Sequence, residues 1–135
     1  MSQISYTYPS INETFKNKSI LVTGATGLVG KVIVYKLLKS VESVKNVFIL
    51  MRSKKGKSIT ERFDEMVTKS YGLFADLEKS SLQKLIAIEG DITVCGLGLN
   101  ETDRNTIITN VSIIFHSAAD VTFDMSLMYE CLYFL

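Results

Sequence analysis

Three glycines, at positions 24, 27 and 30, stand directly after a short apolar run and open an amphipathic stretch. The run, Ser19–Thr23, predicts a buried strand of the parallel type. The stretch, Leu28–Ser40, predicts a helix because apolar residues recur at helical spacing, namely Val29, Val32, Ile33, Leu37 and Leu38. A glycine-rich turn from a strand into a helix is typical of Rossmann folds, in which backbone amides at the helix N-terminus bind a pyrophosphate.

Each glycine of the turn has its own expected role. Gly24 permits the tight turn, Gly27 lets the backbone approach the ligand, and Gly30 lets the helix pack closely. The alternatives are a turn that only connects two elements and a P-loop. A P-loop needs a Ser or Thr after Gly-Lys to hold magnesium, whereas Gly30-Lys31 is followed by Val32. We therefore predict a dinucleotide site over residues 23–30.

Helical and strand patterns alternate along the rest of the chain. Ser58 with Glu61 forms a capping box that starts a helix, and Asn100 can cap another through about residue 108. Strands are predicted at residues 47–51 and 111–115, while helix and strand compete within residues 82–89. This alternation favours an α/β, doubly wound parallel sheet. We expect a polar leader over residues 1–14 and one nucleotide-binding domain over residues 15–135.

The end of the second predicted strand bears on which nucleotide is bound. An acid there would accept hydrogen bonds from the ribose 2′-hydroxyl of NAD, but the sequence reads Leu50-Met51-Arg52-Ser53-Lys54-Lys55. The Arg52 guanidinium can instead bind a 2′-phosphate, with help from Lys54 or Lys55. NADPH is therefore the expected cofactor, the alternative being that the basic residues form a solvated loop.

Two further segments follow predicted strands. Asp91 and Ile92 follow the third, where a carboxylate and a backbone amide could reach an adenine ring. Ser117, Ala118 and Ala119 follow the fourth, where small residues let the backbone lie against a ribose. His116 could act as a general base, but no orienting carboxylate is evident, and a packed or backbone-bonded histidine is favoured.

Composition excludes several other functions. The net charge of +1 argues against nucleic-acid binding. Cys95 and Cys131 have no neighbouring ligands at a metal-binding spacing, so we predict free thiols and no metal site. No signal peptide or membrane-spanning stretch is evident.

With these motifs in place, the sequence resembles the N-terminal part of the alcohol-forming fatty acyl-CoA reductases, in the extended short-chain dehydrogenase/reductase superfamily. The glycine loop is general to that superfamily. More specific are the segments Lys54-Lys55-Gly56-Lys57, Glu61-Arg62, Gly90-Asp91-Ile92-Thr93, Leu97-Gly98-Leu99, Asp103-Arg104, and Phe115-His116-Ser117-Ala118-Ala119 through Phe123-Asp124.

This resemblance implies NADPH-dependent reduction of a long-chain fatty acyl-CoA to a primary alcohol through an aldehyde. It implies that Arg52 contacts the 2′-phosphate, that Asp91 and Ile92 contact the adenine, and that Ser117 to Ala119 form the wall beside the ribose. The members of the phosphate loop that it implies are Thr23, Gly24, Thr26, Gly27, Leu28 and Gly30. It also implies membrane association, peroxisomal or at the endoplasmic reticulum, through segments that this chain lacks.

The superfamily's catalytic Tyr-x-x-x-Lys pair is matched only by Tyr35 and Lys39, on the first helix, where the match is interpreted as accidental. We expect no catalytic residue in this chain, a fold that is incomplete at its C-terminus, and no activity of the chain alone. Two alternatives stay open, a non-catalytic NADP-binding fragment or regulatory decoy, and another extended reductase such as a sugar-nucleotide epimerase.

Overall fold

The computed structural model describes residues 8–54, 56–70 and 72–119. Five helices and four strands alternate along them: α1 (Ile11–Phe15), β1 (Ser19–Thr23), α2 (Leu28–Ser40), β2 (Asn46–Met51), α3 (Ile59–Lys69), α4 (Lys79–Leu82), β3 (Leu85–Glu89), α5 (Glu101–Asn110) and β4 (Val111–His116). A 3₁₀ turn, Cys95–Gly98, precedes α5. The predicted positions of Lys55, Phe123-Asp124 and Cys131 lie outside the described residues.

The strands form one parallel sheet in the order β3-β2-β1-β4. Successive strands step outward from β1 through β2 to β3, and the chain then crosses to the other side of β1 to add β4. The order in which strands are added therefore changes side between β1 and β4, which makes this position a topological switch point. In α/β sheets, ligands bind at such a point, at the carboxyl ends of the strands. The predicted doubly wound α/β fold is confirmed.

Strands β1 and β2 are buried on both faces of the sheet, whereas alternate residues of β4 are exposed. On one face, buried side chains of β1 and β2 pack with Val34, Leu37 and Leu38 of α2 and with Met66 of α3. On the other face, a second cluster of buried residues packs against Ile107 of α5 and against Leu97 and Leu99, which precede that helix. The buried members of this cluster are Leu21, Phe48, Leu50 and Ile88. Strands buried on both faces explain why β1 and β2 are apolar without alternation.

Most elements lie where the sequence predicts them. The capping box of Ser58 and Glu61 is present, and the Asn100 side chain accepts from the amide of Asp103. The ambiguous stretch at residues 82–89 divides into the end of α4 and the strand β3. Helix α5 continues to Asn110, two residues beyond the predicted end.

Two features of the fold differ from the sequence pattern. Helix α1 spans the proposed boundary between leader and domain, and the Phe15 ring stacks on Phe115 at 6.3 Å between centroids. On α2, Val29 and Val32 are 63% and 48% exposed, so they do not contribute to the buried face. The buried face of α2 is centred near Val34, and with about 3.6 residues per turn Val32 projects from the opposite side of the helix and Val29 lies outside that face.

Candidate functional site

A cleft of about 300 Å³ lies at the carboxyl ends of the four strands. Its size is at the lower end of the range for small-molecule sites. Most of the predicted site residues line it, namely Gly24, Thr26, Gly27, Arg52, Asp91, Ile92, Ser117, Ala118 and Ala119. Segments that the sequence separates by many residues therefore form one concave surface.

Gly24 is required where β1 passes into the turn. Its φ is +69°, in the left-handed region. A Cβ atom there would lie 2.5 Å from the backbone nitrogen of Ala118 and 2.6 Å from the carbonyl carbon of Ser117. Any side chain would therefore push the end of β4 away from the turn, which explains why the two segments can share one cleft.

Gly27 and Gly30 serve different purposes. Gly27 is the N-cap of α2, and a Cβ atom on it would meet only the carbonyl oxygen of Gly24, at 3.3 Å. Its missing side chain leaves the space in front of the helix N-terminus open. A Cβ on Gly30 would lie 2.2 Å from that same oxygen, so Gly30 lets α2 pack on the turn. The close approach at Gly30 agrees with the packing role predicted for it.

Three predicted members of the site do not line the cleft: Thr23, Leu28 and Gly30. Gly30 is buried beneath the turn, and Leu28 is 83% exposed on the outer side of α2. The Thr23 side chain is buried and lies 2.7 Å from His116 Nδ1. Its carbonyl oxygen accepts from the Ser117 hydroxyl at 2.7 Å. Thr23 thus connects the ends of β1 and β4.

His116 also differs from its expected role. The sequence favours a packed or backbone-bonded histidine, but the ring is exposed and bonds to the Thr23 hydroxyl. It does not line the cleft. Thr23 and His116 are register partners on the adjacent parallel strands β1 and β4, so their side chains lie on the same face of the sheet and within hydrogen-bond distance.

Asp91 is held by several donors at the end of β3. One carboxylate oxygen accepts from the backbone amide and hydroxyl of Thr93, at 2.9 and 2.8 Å, and the other lies 3.1 Å from the Arg52 guanidinium. The Thr93 amide, with smaller contributions from the Thr93 hydroxyl and from Arg52, lowers the pKa of the Asp91 carboxyl. Asp91 is therefore an anion at neutral pH.

The turn after β3 fixes the position of Asp91. Its amide donates to the carbonyl oxygen of Leu97 at 2.8 Å. Gly96, Leu97 and Gly98 all have positive φ, near +60°, and the Leu97 side chain packs against the second core cluster. A Cβ on Gly90 would meet both the Leu97 carbonyl and a Leu50 methyl at 2.6 Å. The Leu97-Gly98-Leu99 segment thus closes tightly under the cleft.

Basic residues collect where β2 ends. Arg52, Lys54 and Arg62 all line the cleft. The side chain of Arg52 is 54% exposed and that of Asp91 25% exposed, and ion pairs of such exposure contribute only about 0.2–1 kcal/mol. The pair can therefore be exchanged for a ligand at little cost.

Arg62 lines the cleft but is not among the site residues predicted from the sequence, although the Glu61-Arg62 pair belongs to the segments that carry the family resemblance. Arg62 lies on the first turn of α3 and donates from Nη1 to the carbonyl oxygen of Arg52. The capping box fixes where α3 begins and hence which residue returns to the end of β2. That position, four residues after a predicted N-cap, was the available signal.

Tyr35 and Lys39 lie away from the cleft. The Tyr35 hydroxyl and the Lys39 ammonium both contact the Asp76 carboxylate, at 3.1 and 3.0 Å. The bond to Asp76 raises the pKa of the Tyr35 phenol, the opposite of what a catalytic tyrosine needs. The pair holds the segment before α4 against α2.

The described residues contain no group of three His, Cys, Asp or Glu side chains that could hold a metal ion. Cys95 is a free, exposed thiol. Among the helices described, none has both the length and the apolar character needed to cross a membrane.

Comparison with known proteins identifies the family. The sequence profile of the male sterility protein family matches residues 22–130. This chain belongs to that family. The match begins within β1 and includes the glycine turn, Arg52, Asp91 and the end of β4.

Relatives of known sequence agree with this assignment. Over 119 residues, 87% of the chain, it is 44% identical to "Putative fatty acyl-CoA reductase CG8306" of Drosophila melanogaster and 41% identical to fatty acyl-CoA reductase 1 of Rattus norvegicus. The chain spans about a quarter of the length of these relatives, 23% in both cases.

Solved structures support the fold. The terminal R domain from the myxalamid PKS-NRPS biosynthetic pathway is 26% identical, with a TM-score of 0.64 over 80% of this chain and 26% of that chain. An NADPH-bound carbonyl reductase from chicken fatty liver is 17% identical, with a TM-score of 0.54 over 88% of this chain and 46% of its own, and supports the fold alone. The family member described here therefore has the α/β architecture of NAD(P)-binding reductase domains.

Proposed function

We propose that this chain forms the NADPH-binding part of a fatty acyl-CoA reductase that converts a long-chain acyl-CoA to a primary alcohol. The observation that carries the proposal is the cleft itself, which is lined both by the turn at the N-terminus of α2 and by a cluster of basic side chains. The names of the relatives supply the substrate class.

The lining residues fit a dinucleotide phosphate. Gly27 leaves the backbone at the start of α2 accessible, and the helix N-terminus offers amides and a partial positive charge to the pyrophosphate. Asp91 and the Ile92 amide lie at the end of β3, where they would contact the adenine. Ser117, Ala118 and Ala119 would form the wall beside the ribose.

Arg52 decides the cofactor preference in this proposal. Residues at the end of β2 face the adenine ribose in Rossmann folds, and here no carboxylate is present to accept the 2′-hydroxyl of NAD. A guanidinium–phosphate contact contributes about 1.5–3 kcal/mol, more than the exposed pair with Asp91. A 2′-phosphate therefore displaces Asp91 from Arg52.

The overall reaction consumes two NADPH. Each supplies a hydride to the acyl carbon; the first reduction releases the CoA thiol and gives an aldehyde, and the second gives the alcohol after its oxygen takes a proton. In this chain the described residues bind and orient NADPH. We propose that no described residue supplies that proton, since Tyr35 is engaged with Asp76 and His116 lies outside the cleft.

That last point favours a second candidate, a non-catalytic NADP-binding fragment or regulatory decoy. Membrane association at peroxisomes or the endoplasmic reticulum stays part of the proposal for the intact enzyme. A sugar-nucleotide epimerase is disfavoured because the relatives are named as acyl-CoA reductases.

The test of cofactor preference is the Arg52→Ala variant. We expect its affinity for NADPH to fall by about 1.5–3 kcal/mol, while its affinity for NADH, which has no 2′-phosphate, changes little. Titration of both nucleotides against both proteins measures this difference. Equal loss for the two nucleotides would show that Arg52 serves the fold, and Arg104→Ala, an exposed arginine on α5, is the matched control.

A further inference from the structure

Arg62 lines the cleft, and the sequence pattern assigns it no function. It is half-buried, whereas Arg52 and Lys54 beside it are exposed. Its Nη1 donates to the carbonyl oxygen of Arg52, so its guanidinium lies against the backbone at the end of β2. It lines the cleft together with Arg52 and Lys54.

The charge balance of the cleft sets Arg62 apart. Arg52 is paired with Asp91 at 3.1 Å, and Lys57, outside the cleft, is paired with Glu65 at 2.6 Å. In the described part of the chain, the ion pairs within 4.0 Å do not include Arg62. The positive charge at this end of the groove therefore comes from Arg62 and Lys54, because Arg52 is neutralised by its partner.

Holding one carbonyl oxygen does not require an arginine. A guanidinium has five N–H donors in a fixed plane, and the Arg52 carbonyl uses one nitrogen of Arg62. A neutral amide could satisfy that carbonyl equally well. The remaining donors and the uncompensated charge suit an oxyanion that approaches from the cleft, since a planar guanidinium matches the oxygens of a phosphate.

We propose that Arg62 is a second phosphate-binding guanidinium, which determines with Arg52 the preference for a dinucleotide that carries a 2′-phosphate monoester. This inference rests on the proposed NADPH site and deepens it. Arg62 contacts the phosphate from α3 while Arg52 contacts it from the end of β2. Because Arg62 is bonded to the Arg52 carbonyl oxygen, its guanidinium stays at the end of β2.

The decisive variant is Arg62→Gln, which keeps an N–H donor for the Arg52 carbonyl but removes the charge. Binding of NADPH, NADH, 2′,5′-ADP and 5′-AMP to the 135-residue chain is measured by ligand-observed NMR, which detects weak complexes. We expect Arg62→Gln to weaken NADPH and 2′,5′-ADP by roughly ten- to hundredfold and to leave NADH and 5′-AMP nearly unchanged. Arg62→Lys should recover part of the loss, and Arg104→Gln should show none.

The outcomes separate this inference from the proposed function. If Arg52→Ala lowers NADPH affinity selectively but Arg62→Gln does not, the NADPH site stands and the role of Arg62 is overturned. If Arg62→Gln lowers the affinity of all four ligands equally, Arg62 is only a structural clamp, and thermal unfolding will show the accompanying loss of stability. If the unmodified chain binds neither dinucleotide, the proposed function fails and the inference fails with it.

Discussion

At the scale of single residues, the cleft depends on glycines that act for different physical reasons. Gly24 needs its positive φ and the space taken by Ser117 and Ala118, and Gly30 needs the space taken by the Gly24 carbonyl. Gly27 has an ordinary φ of −76°, and a Cβ atom on it would contact only the carbonyl oxygen of Gly24, at 3.3 Å. Of the three, Gly27 is the one whose side chain would interfere with a ligand while the fold is kept.

We therefore predict that Gly27→Val abolishes dinucleotide binding without unfolding the chain. The branched side chain would project into the space where a pyrophosphate meets the backbone amides. Nucleotide titration and thermal unfolding are measured on the same samples. Gly30→Ala is the matched control, since its Cβ would clash at 2.2 Å and should lower stability. A folded Gly27→Val chain with unchanged NADPH affinity would remove the glycine turn from the site.

Residue patterns also set the limit of what the sequence could predict. The glycine turn and the end of β2 were found because each is a local motif next to a strong apolar run. The Thr23–His116 bond joins residues on β1 and β4, and the Arg52–Asp91 pair joins the ends of β2 and β3. Such contacts depend on strand order, which local patterns do not specify, so the sequence alone does not predict that Thr23 connects the ends of β1 and β4.

At the scale of elements, the entry to α3 connects helix stability with the site. Ser58 accepts from the Glu61 amide, while the Glu61 carboxylate accepts from the Ser58 amide at 2.8 Å. The bond to the Ser58 backbone lowers the pKa of Glu61, so the box is charged at neutral pH. Since Arg62 lies in this first turn, the cap determines whether its guanidinium stays over the end of β2.

Ser58→Ala should cost about 1 kcal/mol of unfolding free energy, the usual effect of losing an N-cap side chain. Urea denaturation measures it, and Ser40→Ala, at the exposed end of α2, is the control for replacing a serine by alanine. NADPH affinity should fall in the same variant because the first turn of α3 frays. A variant as stable as the unmodified chain would mean that tertiary packing alone holds α3 in place.

The order of elements was predictable because helical and strand periods differ sharply in this chain, and the capping residues mark where α3 and α5 begin. The stretch at residues 82–89 remained ambiguous because its apolar residues suit either period. Residues 85–89 form a strand because they pair with β2, and Leu85 and Ile88 are buried in the core clusters on opposite faces of the sheet. Val29 and Val32 are exposed because the face of α2 that packs on the sheet is centred near Val34, and the apolar pattern alone does not specify which face packs.

At the scale of the whole molecule, binding and chemistry separate. The strand ends bring the glycine turn, the basic cluster and Asp91 into one cleft, where the adenosine half of the proposed dinucleotide would bind. The cleft lining contains no tyrosine or histidine among the described residues. A positioned acid contributes typically 10²- to 10⁴-fold in rate, so its absence from the lining bears on activity directly.

We therefore predict that the 135-residue chain alone binds NADPH weakly and reduces no acyl-CoA. NADPH oxidation with a long-chain acyl-CoA tests this, and the Tyr35→Phe and His116→Ala variants are assayed alongside. Turnover by the unmodified chain that His116→Ala destroys would show that the histidine is the acid.

In a second experiment, residues 22–130 replace the matching segment of the rat relative, which is 41% identical. We expect this hybrid to form fatty alcohol and its Gly27→Val version to form none. A folded hybrid that binds NADPH but makes no alcohol would instead favour the non-catalytic interpretation, because the nucleotide site would then be sound and its coupling to the acyl-CoA lost.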